Sequence, residues 1–233
     1  MTSAITPPSG DAKLEAARLR SVDLTGPAGR LEALLNEGAA DAPYAAVVCH
    51  PNPKAGGTMH NKVVYHAMKV LNDPEFGLGW PVLRFNFRGT GLSHGTFDGR
   101  AEAGDVLAAM DWLENAYKRP LVVLGFSFGS AMALMACCKE TRHPSRVRGV
   151  AALGLPTEAD GHRYRYPFLA SSPISKFFLS GDNDLYAPGA QLAEVVGSAA
   201  DPKRLVLIPG ADHFFTGHLE RMQRELASWL KEL

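Results

Sequence analysis

The chain has 233 residues, enough for one α/β domain with little left for a second. Lys plus Arg and Asp plus Glu number 24 each, so no net field draws it to nucleic acid or to an anionic membrane. Hydrophobic residues make up 46%, enough for a large core, yet no apolar run is long enough to span a bilayer. The three cysteines are Cys49, Cys137 and Cys138; an odd count with two adjacent argues against a disulfide framework and for small core residues. No His/Cys cluster has zinc-ligand spacing, so neither a metal nor another cofactor is expected.

Residues 1–10 have no basic n-region and no apolar h-region, so no signal peptide is read there, and a soluble cytoplasmic protein is the expectation. Thr6-Pro7-Pro8-Ser9-Gly10-Asp11 makes residues 1–15 read as a flexible arm, with one α/β domain over 16–233. Strands at 19–25 and 30–35 flank Gly26-Pro27-Ala28-Gly29, a hairpin signal. A short apolar strand follows at 45–49. Val63, Val64, Ala67, Met68 and Leu71 then share one helical face. Residues 81–87 give the next strand, and Val106, Leu107, Met110, Leu113 and Tyr117 a second helical stripe.

Leu121-Val122-Val123-Leu124 forms a strand and 130–136 a run of helix formers, with Gly125-Phe126-Ser127-Phe128-Gly129 between them. Strands follow at 147–153, 174–179 and 205–208, and Leu219, Met222, Leu226, Trp229 and Leu230 mark a C-terminal amphipathic helix. A hairpin followed by repeated strand–helix units predicts an eight-stranded, mostly parallel sheet covered on both faces. Ligands of such sheets bind at the carboxyl ends of the strands. The interval 156–173 is too short for a lid domain; it has room for a loop and one helical turn.

The G-x-S-x-G between strand and helix is a nucleophile elbow. The turn is so tight that residues two before and two after the Ser need almost no side chain, and Gly125 and Gly129 meet that need. Ser127 is expected in a strained conformation with its hydroxyl above the sheet, beside the N–H groups opening the helix.

A Ser hydroxyl needs a base, and the base an orienting acid. The chain order for this elbow is Ser, acid, His. His213 sits in the loop Pro209-Gly210-Ala211-Asp212-His213-Phe214-Phe215, after a strand. Asp182 and Asp184, in Ser180-Gly181-Asp182-Asn183-Asp184, are both candidates for the acid, one orienting His213 and the other capping its loop. Asp212 adjoins His213, and neighbouring loop residues point apart. His50 reads as a loop-packing residue near the rim, and His66 and His143 as solvent-facing.

An oxyanion needs two N–H donors. Phe128 supplies one at the start of the helix. In His50-Pro51-Asn52-Pro53-Lys54-Ala55-Gly56-Gly57 the two prolines lack an N–H, which leaves Asn52 as the second. Phe126, Phe214 and Phe215 are assigned to the substrate pocket alongside a polar rim of Asn52 and Lys54.

These motifs resemble the α/β-hydrolase superfamily, and most closely its small, lidless bacterial serine hydrolases near the dienelactone hydrolases. The likeness extends through Gly56-Gly57-Thr58-Met59-His60-Asn61-Lys62-Val63-Val64 and Arg84-Phe85-Asn86-Phe87-Arg88-Gly89-Thr90-Gly91-Leu92-Ser93. It implies an α/β-hydrolase fold and, by its spacing from the Gly that ends the strand, Asp184 as the acid. Dienelactone hydrolases use Cys where this chain has Ser127, so their activity is not implied. Arg88 reads as a brace for its loop.

The expected activity is cleavage of small soluble carboxylic esters through Ser127, His213 and Asp184. A peptidase, a thioesterase and a non-catalytic binding protein are the alternatives. The partner is a small-molecule ester, with no nucleic acid or membrane, and a homodimer stays open. The segment 161–168, rich in Arg and Tyr, suits either a partner surface or closure over substrate.

Overall fold

A computed structural model describes residues 19–141, 144–159 and 161–233. The arm predicted over 1–15 and His143 lie outside the described residues. The hairpin is present as β1 (Leu19–Gly26) and β2 (Gly29–Asn36), antiparallel and in register through Gly26 and Gly29. Next come β3 (Ala45–Cys49), α1 (Lys62–Asn72), β4 (Val82–Phe85), α2 (Glu102–Tyr117), β5 (Leu121–Phe126) and α3 (Phe128–Met135). β6 (Val147–Leu153), β7 (Glu158–Ala159), β8 (His162–Arg163), β9 (Ser175–Gly181), α4 (Gly189–Ser198), β10 (Lys203–Ile208) and α5 (Leu219–Leu230) complete the order.

Eight strands form one sheet in the order β1-β2-β4-β3-β5-β6-β9-β10. β2 pairs antiparallel with β1 and β4, and every other neighbouring pair is parallel. The two middle strands, β3 and β5, are apolar throughout because both faces are covered. On β3, Ala45, Val47 and Cys49 join one core, while Ala46 and Val48 join the other. The first core takes in α2, α3 and α4, and the second α1 and α5. All five residues of the α1 stripe are buried, and Asn61 caps that helix by accepting from the Val63 N–H.

β9 runs on past its apolar residues through Ser180 and Gly181, and β10 begins before its own, at Lys203 and Arg204. Two elements escaped the sequence pattern. Within α4, of all its residues, Leu192 and Val196 are buried and two are glycine, which leaves little periodicity to read. β7 and β8 form a hairpin of two residue pairs. With a 3-10 turn over Pro167–Ser171, that hairpin makes up the regular structure of the described residues between β6 and β9.

The loop after β4 is tied to α2 by a buried ion pair. Arg88 Nη2 donates to Asp105 Oδ1 at 2.6 Å, and the Arg88 N–H donates to Asp105 Oδ2 at 3.0 Å. The brace role predicted for Arg88 matches this contact. Removing one partner of such a pair costs about 3–5 kcal/mol, because the other charge stays buried. Among the described residues, no helix is long and apolar enough to cross a membrane, and no group of three His, Cys, Asp or Glu could hold a metal ion. The cysteines are free thiols, Cys49 and Cys137 buried and Cys138 partly so.

Candidate active site

The ends of β3, β5, β6, β9 and β10 converge on Ser127. Ser127 has φ 53° and ψ −123°, a conformation L side chains rarely adopt, and its N–H donates to Leu153 O on β6 at 2.8 Å. The elbow glycines have distinct steric reasons. A Cβ on Gly125 would lie 2.2 Å from Gly129 O, inside the turn itself. A Cβ on Gly129 would lie 2.4 Å from His50 O and 2.5 Å from Cys49 O. Gly129 is therefore fixed by contact with the end of β3 as well as by the turn.

His213 Nε2 lies 2.9 Å from Ser127 Oγ, and His213 Nδ1 lies 2.8 Å from Asp184 Oδ2. Asp184 is 2% exposed yet well satisfied: Oδ2 also accepts from the Ser180 hydroxyl, and Oδ1 accepts from the Tyr186 and Ala187 N–H groups. A carboxylate so surrounded by donors accepts the Nδ1 proton. That tautomer leaves the Nε2 lone pair facing the Ser127 hydroxyl. The imidazole is held between Phe126 and Tyr186, with ring centroids 5.0 and 4.7 Å away. Gly154 packs on its edge at φ 54°, where a Cβ would come within 3.1 Å of Cε1.

The two carboxylates that sequence left open are separated here. Asp184 reaches His213, while Asp182 Oδ1 accepts from the Gly210 N–H at 2.7 Å and ties the loop after β9 to the loop after β10. Asp212 faces its own turn. The Thr216 N–H chiefly, with the Phe214 N–H, holds its carboxyl below the usual range.

On the other side of Ser127, Asn52 and Phe128 line the same cleft. Among the described residues, no protein acceptor takes the N–H of either. The Asn52 loop is rigid for reasons the sequence hid. Asn52 O accepts from the Ala55 and Gly57 N–H groups, and Asn52 Oδ1 accepts from the Lys54 N–H, so its side chain caps a 3-10 turn over Pro53–Ala55.

His50, fully buried, accepts at Nε2 from the Phe87 N–H and donates from Nδ1 to Pro51 O at 2.7 Å. Burial pushes its pKa down to about 4. The packing role expected of His50 is thus a brace on the residue before Asn52. His66, expected to face solvent, is half-buried, and its Nδ1 has no partner among the described residues.

The cleft has a volume of about 150 Å³. Besides Ser127 and His213, its walls include Asn52, Phe128, Tyr164, Tyr186 and Phe214. The pocket assignments made from sequence need correction. Phe214 does line the cleft and is 52% exposed. Phe126 is 1% exposed and backs the imidazole from behind. Phe215, at φ 54°, is fully buried in the core that takes in α5 and does not line the cleft. Lys54 does not line the cleft either; its Nζ sits over the Phe97 ring at 5.2 Å. The rim is more apolar than expected, with Tyr186 and Phe214 both lining the cleft and exposed.

An eight-stranded sheet with a serine on a strand-to-helix elbow and a histidine in reach defines an α/β-hydrolase architecture. The family model for the alpha/beta hydrolase fold matches residues 47–187, and the chain belongs to that family. An uncharacterized protein of Rickettsia prowazekii is 36% identical over 213 residues, covering 88% of this chain and 86% of its own. A serine hydrolase without lid from Xanthomonas campestris is 29% identical, with a TM-score of 0.77 over 92% of this chain and 94% of its own. An alpha-beta serine hydrolase homologue from Coxiella burnetii is 30% identical, with a TM-score of 0.78 over 91% of this chain and 97% of its own. The chain is a hydrolase of this lidless serine branch.

Proposed function

We propose that the chain cleaves carboxylic esters of small molecules through an acyl-enzyme. Ser127 Oγ attacks the carbonyl carbon while His213 Nε2 takes the hydroxyl proton. The Asp184 carboxylate fixes the imidazole and stabilises the imidazolium. The N–H groups of Asn52 and Phe128 receive the negative charge that develops on the carbonyl oxygen, aided by the start of α3. Collapse expels the alcohol, which leaves with the proton from His213. A water molecule then repeats the attack with His213 as base, releasing the acid and restoring Ser127.

The observation that carries this reading is the continuous hydrogen-bonded line Ser127–His213–Asp184 at the mouth of a cleft. The cleft's volume, about 150 Å³, favours a short acyl or alcohol group over a long chain. Labelling with a fluorophosphonate, with Ser127→Ala as control and the adduct mapped by mass spectrometry, is the direct test. A single adduct on Ser127 and turnover of aryl acetate are expected. No adduct, or an adduct elsewhere, overturns the mechanism. Parallel assays on a matched thioester and peptide decide against the ester if either is the faster substrate.

A further inference from the structure

Beside the cleft lies a second, larger cavity of about 500 Å³. Tyr164 lines both, so one aromatic side chain is a wall common to the two. Arg163 and Arg165 also line this cavity, and both are exposed. They alternate in sequence with Tyr164 and Tyr166, and burial alternates too: the arginines are exposed, Tyr164 is half-buried and Tyr166 is buried. The two tyrosine rings stack at 6.4 Å with 13° between their planes.

The tyrosines anchor this segment. Tyr166 is 8% exposed, and its hydroxyl donates to Pro156 O at 2.7 Å. The Tyr164 N–H donates to Thr157 O at 3.0 Å. Neither arginine enters an ion pair among the described residues. Glu158 stands opposite Arg163 in the hairpin register without pairing with it, and Glu194 is the one carboxylate among the described residues that lines the cavity. Among the described residues, two guanidiniums against one carboxylate leave a net positive wall. Unpaired arginines on an anchored backbone suit planar, two-point recognition of carboxylate or phosphate oxygens.

We propose that this second cavity is a subsite for an anionic group on the substrate. The ester processed at Ser127 carries a carboxylate or phosphate on the part that extends past Tyr164, and Arg163 and Arg165 read that charge. The proposal rests on the serine-hydrolase reading above and deepens it to a substrate class.

The test compares 4-nitrophenyl esters of one chain length that end in a methyl ester, a carboxylate or a phosphate. In the wild type, kcat/KM for an anionic ester should exceed that for the neutral one by about tenfold, mainly through KM, and the advantage should shrink with added salt. The preferred anion tells carboxylate from phosphate. In Arg163→Gln/Arg165→Gln the ratio of anionic to neutral kcat/KM should fall towards one, and in Arg163→Glu/Arg165→Glu below one.

A wild-type ratio of one, or a ratio unchanged in both variants, overturns the subsite while leaving the hydrolase reading intact. If no ester is turned over and Ser127 resists the fluorophosphonate, the hydrolase reading fails instead. Calorimetric titration of glutarate and of inorganic phosphate then decides the subsite by itself. Binding at least about tenfold weaker in the Gln variant supports it. Binding absent, or equal in the two proteins, overturns it.

Discussion

Two segments border the cleft from opposite sides, and they are held in different ways. The loop after β3 is pinned at every point: His50 grips the Pro51 carbonyl, Asn52 caps its own turn, and a Cβ on Gly57 would lie 2.2 Å from Pro51 O. The segment after β6 rests on a hairpin of two residue pairs and a tyrosine stack, with both arginines exposed. Rigid backbone suits groups that must be aimed before the reaction begins. Exposed side chains on a segment anchored by its neighbouring tyrosines suit groups that select what is bound. On the function proposed above, chemistry falls to one bank of the cleft and selection to the other.

The largest expected effect lies on the chemical side. Ser127→Ala should lower kcat by roughly 10⁶, the scale seen when a serine protease loses its nucleophile. Steady-state assay of a folded variant checks this, and a loss below a hundredfold would move the nucleophile elsewhere. Asp184→Asn comes next, with kcat down by about 10⁴ because the imidazole is left in the wrong tautomer. Its counterpart Asp182→Asn should instead cost stability on the order of 1 kcal/mol, the size of a lost cap. Urea denaturation with activity measured on both variants separates them, and the reverse ranking would exchange their roles.

His50 sharpens the comparison, since it does not line the cleft yet braces the loop that carries Asn52. His50→Gln should lower kcat by about 10², the scale of losing one oxyanion donor, with little change in KM. Its pKa of about 4 in the fold lies below 6.5 in the unfolded chain. The unfolded state therefore binds more protons between those values, so stability is full above pH 6.5 and is lost as pH falls towards 4. The full shift corresponds to about 3 kcal/mol. Thermal melts across that range should show the slope in the wild type and a flatter one in His50→Gln; parallel slopes would remove His50 from the account.

The smallest effect belongs to the selective bank. Tyr164→Ala should join the two cavities and raise the ratio of hexanoyl to acetyl kcat/KM about threefold, a fraction of what one buried methylene is worth. A chain-length profile identical to the wild type would mean that Tyr164 is no boundary. Neither protein should show a jump in rate at the micelle threshold.

Much of the architecture was legible because it follows from short-range rules. Continuous apolar runs mark strands covered on both faces, and steric exclusion dictates both elbow glycines. Loop side chains were less legible, because their direction depends on contacts distant in sequence. Asp182 and Asp184 look alike until the Gly210 N–H and the His213 ring each claim one. His50 meets its partner 37 residues away, through a backbone N–H that carries no residue-type signal. Phe215 was misplaced because it adjoins Phe214 and has the same residue type, yet it is fully buried while Phe214 is 52% exposed. The α4 helix was missed because two buried residues do not make a stripe.

The bare Cα of Gly129 has a consequence for how such a protein can change. It touches the carbonyls of Cys49 and His50, so the segment bearing Phe128 and the segment bearing Asn52 abut with no side chain between them. The spacing of the two amides is thus a backbone dimension, and even one added methyl group would force the segments apart. Variation that adapts the protein to new molecules has no small step available there. Such variation is channelled to the opposite bank, where the surface-exposed arginines can be exchanged without disturbing a strand of the eight-stranded sheet.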